Sequence, residues 1–214
     1  MNFTTKQAAL ALAITGAFGV AHATNLPINL PTANVDVVGA YFGGSLLATA
    51  VTNISNPSYN GIARAAVYDT GTGIDFYYQF VNDPSSNNGV ERFTGYDFSG
   101  VNASAVSVFQ TSAAFGIFTT GTEMSDYADR TAMGVIGISF VPNGMSKVNP
   151  GTTSYIQIIR TSARQYKAGN FGLLDGYGDN AVGFAPAVPE PETYALMLAG
   201  LGFVAFVARR RLSK

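Results

Sequence analysis

The chain contains no cysteine, no tryptophan and a single histidine in 214 residues. Without cysteine there is no disulfide framework, no thiolate metal site and no lipid-bearing thiol, even for a chain exported to an oxidising compartment. The histidine, His22, falls in a stretch that reads as a removable leader, so the mature body has no imidazole. That excludes Ser-His-Asp and Cys-His catalysis and the usual zinc sites. Charge is sparse as well, at 12% of residues. Between residues 24 and 188, seven basic residues face eleven acidic ones, a net −4 with no basic cluster. Nucleic acid is not an expected partner on that balance, and no cofactor is expected.

Both ends of the chain carry targeting features. Lys6 precedes an Ala-, Leu- and Ile-rich run, and Ala21-His22-Ala23 supplies small residues on either side of a cleavage position. Residues 1–23 therefore read as a signal peptide, with Thr24 the first residue of the mature chain. At the other end, Pro189-Glu190-Pro191 comes before an uncharged stretch, Tyr194 to Ala208, and then Arg209-Arg210-Arg211. Fifteen helical residues span roughly 22 Å, short of a bilayer core of about 30 Å. The stretch is expected to act as a single membrane helix, 194–208. Tyr194 would lie at one interface and the arginines at the cytoplasmic one, with local thinning making up the length. The two prolines lack backbone donors and resist helix, so the triplet should form an extended strip at the membrane face.

That order of triplet, apolar segment and terminal arginines resembles the PEP-CTERM sorting tail of Gram-negative bacteria. The resemblance implies processing by the membrane enzyme exosortase, with Pro189, Glu190, Pro191, Arg209, Arg210 and Arg211 as the sorting residues. It also implies transient anchoring in the inner membrane, then release to the cell surface or extracellular polysaccharide. A second segment, Asn149 to Pro186, is similar to one that recurs ahead of such tails: a Pro-Gly-x-x-Ser lead, an apolar strand ending Arg160-Thr161, then Asp175-Gly176 and Phe184-Ala185-Pro186. This second likeness implies a β-sandwich and no reaction.

Residues 24–187 are long enough for one domain with its own core. After an extended leader, Thr24 to Asn34, the pattern is β. Ile74, Phe76, Tyr78 and Phe80 alternate with Asp75, Tyr77, Gln79 and Val81, as in a half-buried strand. An exposed loop, Asn82 to Gly89, is expected to join it in a hairpin to Val90–Phe98. Further strands are expected at Asp36–Phe42, Leu46–Asn53, Ile62–Tyr68, Ala103–Gln110, Gly134–Val141, Thr153–Thr161 and Ala181–Phe184, with one helical turn at Glu123–Thr131 capped by Thr122. Short strands punctuated by Gly, Asn, Ser and Pro predict an all-β antiparallel sandwich of jelly-roll or immunoglobulin-like type.

Few motifs carry chemistry. Asp69-Thr70-Gly71, with Val135-Ile136-Gly137 later, matches the local pattern of aspartic proteases. That reaction needs two carboxylates sharing one proton, and no second triplet is present, so the stretch reads as a hairpin turn. Asp175 and Asp179 flank a Gly-rich loop and would be the nearest calcium candidates. Two carboxylates are too few, so no metal is expected and the loop reads as a solvated turn. Asn53-Ile54-Ser55 and Asn102-Ala103-Ser104 fit the glycosylation triplet, which a bacterial setting leaves unused. Tyr77, on the polar face of its strand, is the candidate for stacking on sugar rings. The expected function is thus an exported, non-catalytic surface or matrix protein, structural or polysaccharide-associated. The alternatives are a hydrolase with paired carboxylates and an adhesin that binds protein through an exposed sheet edge.

Overall fold

The structure, a computed structural model, describes residues 23–30, 33–41, 43–95, 97–102, 105–141, 147–187, 196–204 and 209. The body is built of thirteen strands in two sheets. One sheet holds β1 (Thr24–Asn25), β3 (Asp36–Val37), β4 (Ser45–Ser55), β5 (Asn60–Asp69), β6 (Ile74–Asn82), β8 (Val106–Thr111) and β11 (Ile156–Thr161). The other holds β2 (Ala33–Asn34), β7 (Arg92–Gly95), β9 (Tyr127–Arg130), β10 (Ile136–Ser139), β12 (Tyr166–Asp175) and β13 (Tyr177–Pro186). Their orders are β1-β8-β11-β6-β5-β4 and β13-β12-β7-β10-β9-β2. Every pairing is antiparallel except the short one of β3 with β8.

The two sheets share one core because alternate residues of each strand face inward. Phe76, Tyr78 and Phe80 of β6 meet Phe93, Ile138, Phe171 and Leu173 from the opposite sheet. Phe171 bridges the layers, its ring 5.0 Å from Tyr78 and 4.8 Å from Phe93. Each fully buried ring contributes about 1.5–3 kcal/mol by transfer from water. The leader turns at Ile28-Asn29, with Asn29 at φ 54°, and its two short strands touch both sheets: β1 pairs with β8 and β2 with β9.

Several expectations are corrected. The second face of β6 is not solvated, since Asp75, Tyr77 and Gln79 are each 0% exposed. A second apolar cluster covers it, formed by Tyr68, Tyr77, Phe109, Phe118, Ile156 and Ile158, with Tyr41 and Phe115 packed against them from the loops. Tyr77 is therefore no sugar platform; its ring lies 4.8 Å from Tyr68 and 5.4 Å from Phe115. Nor do β6 and β7 form a hairpin. β6 pairs with β5 and β11, whereas β7 belongs to the other sheet. The connection between them is tied down at Asn82, whose amide donates to Asn88 O and Val148 O while its carbonyl oxygen accepts from Ser86.

The expected helical turn at 123–131 contains β9 instead, with Ala128 and Arg130 turned inward. Alternation across sheet pairing outweighed the acids and the cap. Thr122 uses its hydroxyl across the chain on Thr153. Strand β12 had no signal in the sequence, because Gly169 and Gly172 break up its pattern. Gly169 is where β12 meets β13 closely: an added Cβ would come within 3.1–3.2 Å of Ala185 and Phe184. Past the sheets, residues 196–204 are helical and exposed. Among the described residues no helix is long and apolar enough to cross a membrane.

Candidate functional site

The acids of the body were the only remaining candidates for catalysis or metal binding, and most of them are engaged. Asp69 ends β5 and accepts from the Gly71 amide at 2.7 Å, while Thr70 N donates to Gly73 O at 2.9 Å. Gly71 has φ 80°. The Asp-Thr-Gly triplet is thus the turn of the β5–β6 hairpin, and Ile136 and Gly137 lie in the other sheet. Because an asparagine side chain accepts the same amide, Asp69→Asn should leave the melting temperature within a few degrees of wild type. Calorimetry would check it, and an accompanying loss of a peptidase activity would revive the protease reading.

Asp175 and Asp179 both lie in the β12–β13 hairpin, whose turn is made by Gly176 at φ 65°. The turn is as expected, but Asp175 is not solvated: it is 5% exposed. Its carboxylate oxygens are taken by Lys147 Nζ at 3.0 Å and Ser58 Oγ at 2.8 Å. Lys147 also binds Glu91 at 2.7 Å, and the bond to Glu91 leads the causes that raise its pKa. Here two carboxylates do converge, with one ammonium bridging them and leaving the trio a single net negative charge. Asp179 accepts from the Asn180 amide and from Asn56. Among the described residues no group of three or more His, Cys, Asp or Glu side chains could hold a metal ion. Asp129 is paired with Arg92 at 2.7 Å. Asp126 differs, with one oxygen buried without a partner and its pKa raised by burial.

The most concentrated polar group is one that composition and motifs did not reveal. Arg160 of β11 lies directly opposite Asp75 of β6 on the face covered by the second cluster. It donates from Nε to Oδ1 at 3.1 Å and from Nη2 to Oδ2 at 2.9 Å. Tyr41, carried over by the segment ahead of β4, donates its hydroxyl to Asp75 Oδ2 at 2.9 Å and also meets Arg160 Nη2. The guanidinium lies 5.1 Å from the Tyr41 ring centre and 4.9 Å from that of Phe109, a stacked cation–π arrangement. Burial pushes the Asp75 carboxyl up to about 8 and lowers the Arg160 guanidinium; the two-point ion pair pulls the other way. Tyr77 completes the group. Its phenol is raised by burial first and by Asp75 second, and it lies where a Cβ on Gly43 would overlap it. The cluster binds two strands to a loop, and it is closed over by aromatic rings.

Seen in the fold, the segment 149–186 is architectural at each position. Pro150-Gly151 turns the chain, Gly151 having φ 80°. Ser154, fully buried, accepts from Phe80 N at 3.0 Å. Arg160 holds Asp75, and Thr161 donates to Ile74 O at 3.0 Å. Asp175-Gly176 makes the last hairpin, and the Phe184 carbonyl accepts from Tyr78 in the core. The final tie is Ala187 N to Gln165 O at 2.9 Å.

Of the sorting and cleavage residues, Pro189, Glu190, Pro191, Arg210, Arg211 and Ala21 lie outside the described residues. Arg209 is exposed, and Ala23 is partly buried immediately before β1. Among the described aromatics of the body, Tyr177, at the β12–β13 turn, is the exposed one, at 54%. No curated protein and no solved structure matches the chain. Residues 187–211 match the model of the PEP-CTERM protein-sorting motif.

Proposed function

Taking as premise that this chain carries the PEP-CTERM sorting motif, which implies export and processing by exosortase at the cell surface, we propose that it is a structural, polysaccharide-associated protein with no catalytic role. The observation that carries the reading is that the sheets run up to the motif. Among the described residues the last backbone bond of the body is made by Ala187, the first residue of the motif. A folded module followed directly by a processing signal is what a sorted cargo requires. In this reading residues 1–23 are removed after Ala23, and the released body joins the extracellular matrix of a biofilm-forming cell.

Its carboxylates support a non-catalytic role. Asp75, Asp129 and Asp175 are held by Arg160, Arg92 and Lys147, and Asp69 is a turn acceptor. For contact with sugar rings Tyr177 replaces Tyr77, since it combines exposure with a position on the hairpin between Gly176 and Gly178. The protein purified from its exporting host should be retained on the polysaccharide of that host, and Tyr177→Ala should weaken retention by roughly five- to tenfold, about the 1 kcal/mol of one stacking contact. Equal retention of both proteins would remove Tyr177 from the reading. No retention of either would remove polysaccharide association.

A further inference from the structure

We propose that β4 is a homotypic interface: two copies of the chain pair antiparallel through this strand, about a two-fold axis at Val51, joining their seven-stranded sheets into one. β4 is the eleven-residue end strand of its sheet and, among the described residues, pairs only with β5. An end strand presents a row of N–H and C=O groups able to pair with another strand, and proteins usually guard it with charge, proline or brevity. Residues 45–55, Ser-Leu-Leu-Ala-Thr-Ala-Val-Thr-Asn-Ile-Ser, hold no charged residue, no proline and no glycine. The other sheet ends are protected. β1, β2 and β3 are two residues each, and β13 contains Asp179, Gly183 and Pro186. Leu46, Leu47 and Val51 are 54%, 41% and 59% exposed, an apolar strip along the one unguarded edge.

The occupant is argued from the strand's own symmetry. A two-fold axis normal to the sheet keeps each residue on its own face, so facing residues must have the same parity. The register shift between Leu46 and Ala48 limits the regular edge to Ala48–Ser55. Placing the axis at Val51 sets Ala48 opposite Ile54 of the second copy and Thr49 opposite Asn53, with Val51 facing itself. It uses the regular segment and stops at the bulge. Like matches like: a β-branched pair sits at the centre and polar pairs lie on either side, each of which favours pairing. The nearest charge on the same face is Arg64, opposite Val51 on β5. The two copies of Arg64 would be three strand spacings apart, about 14 Å, beyond the screening length of about 8–10 Å. Val182 of β13, 54% exposed and bonded through its amide to Thr52, lies alongside β4 and would extend the contact into the second sheet.

The absence of native cysteine makes the register measurable in the full chain. Val51→Cys, Thr49→Cys and Asn53→Cys each place the sole thiol on this face. Oxidised in the purified protein, Val51→Cys should give at least tenfold more disulfide dimer than Thr49→Cys or Asn53→Cys alone. The latter two would hold their identical thiols about 14 Å apart along the strand, out of reach of a disulfide whose Cα atoms lie within about 7 Å. Mixing the Thr49→Cys and Asn53→Cys proteins should restore the cross-link. Val51→Lys, an exposed substitution that leaves the core untouched, should convert the dimer to monomer in light scattering at micromolar concentration. Equal cross-linking at all three positions, no dimer at any, or a dimer that survives Val51→Lys would each overturn the proposal.

Discussion

With Pro189 and Glu190 both changed to alanine, full-length protein should accumulate in the inner membrane, and the trimmed form should fall to background. The two residues precede the apolar run, so the change leaves insertion intact. What it removes is one proline and the one charge of the recognition triplet, with Pro191 left in place. Changing Arg209, Arg210 and Arg211 to alanine should fail differently. In the proposed reading those charges hold the C-terminus on the cytoplasmic side, and an uncharged run of fifteen residues has little hydrophobic energy to spare against a thicker bilayer. Untrimmed protein should then pass beyond the membrane. Fractionation and intact-mass measurement in a host with the processing enzyme separate the two results. Normal trimming of the triplet variant would mean that this motif acts here as a plain anchor.

Arg160→Ala should be among the most damaging single changes in the body, costing about 3–5 kcal/mol, because it leaves the buried Asp75 carboxyl without its partner. The carboxylate is fully buried, whereas the Arg160 side chain is 33% exposed. The reverse change, Asp75→Asn, should therefore cost less, since the freed guanidinium reaches water and the amide oxygen still accepts from Tyr41. For a body of this size the larger loss corresponds to a fall in melting temperature of about 10 °C. The pH dependence of stability should change as well. Burial holds the folded Asp75 pKa near 8, above the unfolded value of about 4. Between those values the native state binds a proton that the unfolded chain does not, so stability is greatest below pH 4 and falls as pH rises toward 8. Without Arg160 to oppose burial the folded pKa should rise further and carry the loss of stability to higher pH, and Asp75→Asn combined with Arg160→Ala should abolish it. Urea titrations at pH 4, 6 and 8 measure this, and a flat profile for Arg160→Ala would show that Asp75 is not the group responsible.

The covered strand β6 shows how far residue order could be read. Its alternation placed Ile74, Phe76, Tyr78 and Phe80 correctly on the main core, and the Asp69-Thr70-Gly71 turn was read as the hairpin it is. The same alternation assigned Asp75, Tyr77 and Gln79 to water, because polar residues on a strand normally face solvent. Phe109, Phe115, Phe118 and Tyr41, which cover them, come from segments more than thirty residues away in either direction. Asp75 and Arg160 are 85 residues apart, and no local pattern connects them. Strand β12 was lost for a related reason: its glycines carry no periodic signal, and their use appears only once β13 lies beside them.

Contiguous residues alone carried the β class of the body and the sorting motif at residues 187–211. A chain without cysteine and with a single histidine, His22, offers few reactive groups. Short alternating runs between turn residues make sheets, and the sorting motif is written in contiguous residues. Tertiary structure decided which sheet each strand joins, that β6 at the middle of its sheet is buried on both faces, and which edge is left open. Period two fixes which residues share a face, since that follows from the geometry of a single strand. Whether that face meets water, a second sheet or a loop depends on segments distant in the chain, brought there by the burial free energy of the whole body.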